Sequence, residues 1–137
     1  MVEQIEHIGI AVKDAETAVP LYTQLLGAPP YKDETVDSQG VRTIFFRVGE
    51  SKIELLEATS ADSPIAKFIA KHGEGIHHIA YRVADLETAL AEKKAQGFRL
   101  INEAPVPGAD GMRIAFLHPK GTNGVLTELC QPIDAAN

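Results

Sequence analysis

The sequence predicts an α+β protein of paired βαβββ modules, their strands forming a curved mixed sheet with helices outside. Three observations predict it. Residues 5–18, IEHIGIAVKDAETA, recur as residues 76–89, IHHIAYRVADLETA, at an offset of 71 residues, with eight identities in fourteen ungapped positions. Each copy opens with period-two apolar alternation and runs on into a capped helical segment. Each is followed by three further strand-like runs separated by turn residues. Self-similarity at a fixed offset marks a repeated supersecondary unit. Two units that each bury one sheet face can curve their sheets around a shared cavity.

In the first copy Ile8, Ile10 and Val12 alternate with His7, Gly9 and Ala11; in the second Ile79, Tyr81 and Val83 alternate with His78, Ala80 and Arg82. Asp14 and Asp85 then stand where a helix needs a cap. The spacing predicts helices over 15–26 and 86–96, ended by Gly27 and Gly97. Pro20 predicts a kink in the first, or a start one turn late. Further strands are predicted at 31–36, 41–48 and 52–57, and at 99–103, 112–117 and 125–130. Between the modules, a short helix over 64–72 is opened by Ser63 and carries Ile65, Phe68 and Ile69 on one side. The chain thus reads as one domain: module 1–57, linker 58–75, module 76–131 and tail 132–137.

Composition narrows the function. With 137 residues, 45% apolar, the chain can bury a core. A net charge of -6 argues against tracking nucleic-acid phosphates. It leaves room for an anionic small ligand, because a local cation outweighs distant charge. One cysteine, Cys130, excludes an internal disulfide and reads as packing. No apolar run reaches membrane-span length. The start, MVEQIEHIG, lacks a positive segment leading into an apolar stretch. The expectation is a soluble cytoplasmic protein; a removed organellar leader is left open.

Within each module the first strand carries a histidine and the last a glutamate: His7 with Glu54, His78 with Glu128. Glu54 lies in KIELLE and Glu128 in VLTELC, both among apolar neighbours. A buried carboxylate needs a partner, a proton or a metal. Pairing of the modules would gather the four residues into one pocket. Two imidazoles and two carboxylates suit a divalent cation such as cobalt, manganese, zinc or nickel, with cobalt or manganese preferred for octahedral coordination. His77 adjoins His78 but points to the other strand face. His72, in the linker helix, and His118, at a turn, are weaker ligand candidates.

HIGIAV with HHIAYRV, and the ending FLHPKGTNGVLTEL, resemble the vicinal-oxygen-chelate superfamily and its fold. Within it, QGVRTIFFRVG, SKIELLEAT and DSPIAKFIAKHGEGIHHIAYRV resemble the methylmalonyl-CoA epimerase family most closely, over nearly the whole chain. The resemblance implies a divalent metal on His7, Glu54, His78 and Glu128, a CoA-thioester substrate and commonly a homodimer; charge and the lack of a membrane-length apolar run give the expectation of no nucleic-acid and no membrane partner. It implies interconversion of (2R)- and (2S)-methylmalonyl-CoA through an enolate, by proton removal and return at C2. Glu128 is one acid/base candidate. Some such epimerases carry a second glutamate where this chain has Thr43, a poor base, so Glu54 or a metal-bound water becomes the candidate for the other face. Lys120 and His118, before the turn KGTNG, are candidate contacts for the CoA part. Ser38, Gln39 and Gly40 are candidates for shaping the pocket mouth.

Three rivals share the architecture. A glyoxalase-like lyase acting on a glutathione adduct would use the same four ligands. A ring-cleaving dioxygenase would want the position of Glu54 open. A metal-free binding or resistance protein would not need all four residues.

Overall fold

Asp14 begins the first helix as its sequence position requires. In the computed structural model, which describes residues 1–133, the Asp14 carboxylate accepts from the Glu16 N–H at 3.3 Å and from the Thr17 hydroxyl at 2.6 Å. The helix, α1, runs Ala15–Leu26 and stops at Gly27, whose φ of 82° suits glycine. Pro20 lies inside α1; the helix neither starts late nor breaks there.

Before α1 comes β1 (Val2–Ala11); after it come β2 (Lys32–Val36), β3 (Val41–Val48), β4 (Ser51–Ala58) and α2 (Pro64–His72). Ser63 caps α2, its hydroxyl accepting from the Ile65 N–H at 3.1 Å. The second copy supplies β5 (Gly75–Val83), α3 (Leu86–Ala95), β6 (Val106–Pro107), β7 (Met112–Leu117) and β8 (Thr127–Pro132). The expected α+β class and paired βαβββ modules are borne out.

Two elements differ from expectation. Residues 99–103 form no strand; only an isolated bridge joins Leu100 to Leu117, and the short β6 lies further on. Asn102 turns its side-chain oxygen to the Phe116 N–H at 2.8 Å, which takes the place of a ladder bond. The last strand begins at Thr127 rather than at residue 125. A turn holds the preceding residues: the Thr122 hydroxyl donates to the Val125 carbonyl at 2.6 Å, and Asn123 has a φ of 56°. Asp134–Asn137, most of the expected tail, lie outside the described residues.

Two compact units are found, one of residues 7–77 and one of residues 1–6 with the chain from His78 onward. In the first, strand order is β2-β3-β4-β1, with β1 and β4 parallel and the other pairs antiparallel. In the second, β5-β8-β7-β6 repeats that order, β5 and β8 being the parallel pair. Both units therefore carry mixed strands.

Period-two geometry sorts each unit into two faces. In the first, Ile44, Phe46 and Leu55 pack with Val12, Ala15 and Ala18, so this face is covered by α1. In the second, Val83, Ala115 and Leu129 pack with Leu86, Ala89 and Leu90 of α3. The opposite faces are left to other residues, and these include the site histidines and glutamates.

Candidate functional site

Each histidine meets its glutamate across a parallel strand pair. In the first unit β1 lies beside β4 with His7 in register with Lys52 and Gly9 with Glu54. His7 Nδ1 lies 3.1 Å from Glu54 Oε2, and both residues are about 5% exposed. In the second unit Ala80 is in register with Glu128. His78 Nε2 lies 3.3 Å from Glu128 Oε1, with both side chains buried. The donor atoms of each pair are close enough to join in holding a metal ion. Neutral imidazole and carboxylate are the donors a divalent transition metal takes. Burial makes such a charge useful, because a carboxylate out of water must be compensated.

The local scaffolds match. Phe45 lies directly across from Glu54, and Phe116 directly across from Glu128. The His78 ring meets Phe116 edge-on, with centroids 5.7 Å apart. Three residues beyond each glutamate a side chain reaches the start of the unit's helix. Glu57 accepts from the Ala15 N–H at 2.8 Å, and Gln131 accepts from the Leu86 N–H at 2.9 Å. These bonds satisfy N–H groups that a helix leaves open at its start, and they tie each site strand to its helix.

The remaining sequence candidates separate. His77 points away from His78, its ring centroid 5.0 Å from that of Phe68, and burial pushes its pKa down to about 4. His72 packs on the same phenyl ring at 5.0 Å. Cys130 is fully buried, its thiol directed at the Tyr81 carbonyl at 3.5 Å, in keeping with packing. His118 Nδ1 accepts from the Lys120 N–H at 3.1 Å, closing a short turn that leaves Lys120 exposed. Partial burial, with Arg99 and Lys120 nearby, lowers the His118 pKa. Ser38, Gln39 and Gly40 line a depression with Ser60, Asp62, Ser63 and Pro64.

Two buried charges were missed from sequence: Glu6 at 4% exposure and Lys52 at 5%. The Lys52 ammonium lies over the Phe45 ring, 5.9 Å from its centroid. Its place two residues before Glu54, and so on the same strand face, was the available signal. Glu6 had none, since alternation alone sets it opposite His7.

This architecture has known counterparts. The chain belongs to the glyoxalase/bleomycin resistance protein/dioxygenase superfamily, whose family model matches residues 6–116. Within that superfamily it is closely related to methylmalonyl-CoA epimerases. It is 41% identical, over 133 residues, to the ethylmalonyl-CoA/methylmalonyl-CoA epimerase of Cereibacter sphaeroides, covering 96% of this chain and 99% of that one. A variant of Streptomyces coelicolor methylmalonyl-CoA epimerase in complex with 2-nitronate-propionyl-CoA superposes with a TM-score of 0.93 at 38% identity, covering 98% of this chain and 97% of that one. A hypothetical protein from Bacillus halodurans superposes with a TM-score of 0.91 at 50% identity, covering 93% of each chain.

Proposed function

We propose that the chain is a metal-dependent methylmalonyl-CoA epimerase, which interconverts the (2R) and (2S) forms of a CoA thioester through an enolate. The observation that carries this reading is the recurrence of one buried histidine–glutamate pair in each repeat, in a chain closely related to epimerases that act on such thioesters. We assign His7, Glu54, His78 and Glu128 to a single divalent ion, with cobalt or manganese preferred and zinc or nickel also compatible. When bound, that ion would supply Lewis-acid stabilisation to the oxygen on which the enolate charge collects.

The chain's own residues do the rest. Both glutamates are buried, where proton transfer is controlled by position. Glu128 is assigned as one acid/base group at C2. Glu54 is the candidate for the other face that repeat equivalence offers. His118 and Lys120 are assigned to the CoA part; the exposed ammonium of Lys120 suits a phosphate. The modules act as one domain, and the protein acts as a cytoplasmic homodimer. Among the described residues no helix is long and apolar enough to cross a membrane.

The test is a stereospecific assay. Metal-loaded protein, given one epimer of methylmalonyl-CoA, should supply the other to a coupled mutase that accepts only that other form. Its kcat/KM should exceed that for the glutathione adduct of methylglyoxal by at least about 100-fold. Equal or better turnover of the glutathione adduct would replace this reading with the lyase.

A further inference from the structure

Epimerisation needs a proton carrier on each side of C2. The first unit has four carboxylates on β2, β3 and β4: Asp33, Glu34, Glu54 and Glu57. The register divides them. Asp33 lies across from Ile44, and Glu57 across from Arg42, on the face that α1 covers. Both are engaged there: Asp33 takes the Arg42 guanidinium at 2.7 Å, and Glu57 binds the Ala15 N–H. Glu54 and Glu34 occupy the other face. Glu54 lies across from Phe45, Thr43 shares the face two residues along β3, and Glu34 lies across from Thr43. Side-chain positions agree, since Lys32 and Lys52 both lie over Phe45, with ammonium-to-centroid distances of 5.7 and 5.9 Å.

Spacing and surroundings set Glu34 apart from Glu54. Two strand steps of ~4.8 Å and a two-residue offset of ~6.7 Å put their Cα atoms about 12 Å apart. That spacing keeps the Glu34 carboxyl apart from the Glu54–His7 pair. Glu54 is 7% exposed and held against His7, whereas Glu34 is 32% exposed and reached by water. The Lys32 ammonium lies 3.3 Å from Glu34 Oε1 in a solvent-reached pair. The second repeat provides an internal control. There, Val106 lies across from Ile114 where Glu34 lies across from Thr43. An apolar pair therefore suffices for the strand pairing, and folding does not call for a carboxylate at this position.

We propose that Glu34 is the second acid/base residue, acting at C2 on the face not served by Glu128, while Glu54 serves as a ligand only. This rests on the epimerase reading. In one direction the C2–H bond breaks and its proton passes to the Glu34 carboxylate. The bonding pair delocalises into the enolate and comes to rest on the thioester oxygen. A proton held by the Glu128 carboxyl then forms the new C2–H bond from the other side as the enolate electrons return. Glu34 gives its proton to water and Glu128 regains one, so the catalyst is reset.

The test follows the C2 proton of each separate epimer by NMR in deuterated water, with metal-loaded wild type, Glu34→Gln and Glu34→Asp. Metal content and circular dichroism are checked for each. Glu34→Gln should lose interconversion by at least about 100-fold yet still exchange the C2 proton of one epimer with retention of configuration. Glu34→Asp should recover at least a tenth of wild-type interconversion. Interconversion by Glu34→Gln within about threefold of wild type, or equal loss of exchange from both epimers, would overturn the assignment. Both outcomes leave the epimerase reading standing, because the wild type stays active. A wild type that neither exchanges nor interconverts would overturn that reading, and this assignment with it.

Discussion

His78 Nε2 lies 3.3 Å from Glu128 Oε1 inside one compact unit. The other unit repeats that relationship with His7 and Glu54. The repetition follows from the parallel pairing of the first and last strands of each βαβββ module. That pairing brings residues 47 apart in one copy and 50 apart in the other into side-chain contact. Each pair sets a buried imidazole beside a buried carboxylate, the donor types a divalent transition metal takes.

The metal assignment predicts occupancy. His7→Ala and His78→Ala variants that remain folded by circular dichroism should each lose metal affinity by at least about 10-fold, since even partners behind the ligands are worth that much. Elemental analysis after equilibration with limiting cobalt checks this. Full occupancy in either folded variant would contradict it.

Much of this was legible in the sequence, and for physical reasons. Aspartate caps and glycine stops are local chemistry, so α1 was placed from Ala15 to Leu26 and α3 to within a residue of its end. The repeat singled out His7, Glu54, His78 and Glu128. Non-local features were hidden. Asn102 takes up the Phe116 N–H through its side chain and cancels an expected strand, which no period reveals. The role argued for Glu34 depends on register with Thr43 across a turn, and register is fixed by three-dimensional pairing.

The helix ties at the site strands predict a modest stability effect. Gln131→Ala removes the acceptor of the Leu86 N–H, and Glu57→Ala removes that of the Ala15 N–H. Each should cost about 1 kcal/mol, a typical cost of losing a cap or a hydrogen bond. Urea unfolding monitored by circular dichroism measures it. No change in midpoint for both variants would show that water replaces these acceptors without cost.

The Arg42 network predicts an acid dependence. A hydrogen bond from the Arg42 guanidinium holds the Asp33 carboxyl below its ordinary value, with slight burial opposing and the arginine charge assisting. A carboxylate whose folded pKa is depressed stabilises the fold above its unfolded value. It loses that contribution as pH falls through the folded value. Wild type should therefore lose more stability than Asp33→Asn between about pH 6 and about pH 3, by less than about 1 kcal/mol because the pair is exposed. Urea titrations at the two pH values compare them. Equal losses would remove Asp33 from the acid response.

The assembly prediction is a homodimer. Sedimentation equilibrium at micromolar concentration should give twice the 14.8 kDa chain mass. A monomer across that range would reject it.

An epimerase of this kind makes and breaks the C2–H bond of a malonyl-type thioester. Proton NMR of methylmalonyl-CoA in deuterated water, with the metal-loaded wild-type protein, tests it most directly. The C2 proton signal should disappear as deuterium enters, and both epimers should be present at the end, whichever was supplied. A C2 signal that persists with verified metal-loaded protein, while the same preparation turns over the glutathione adduct of methylglyoxal, would contradict it.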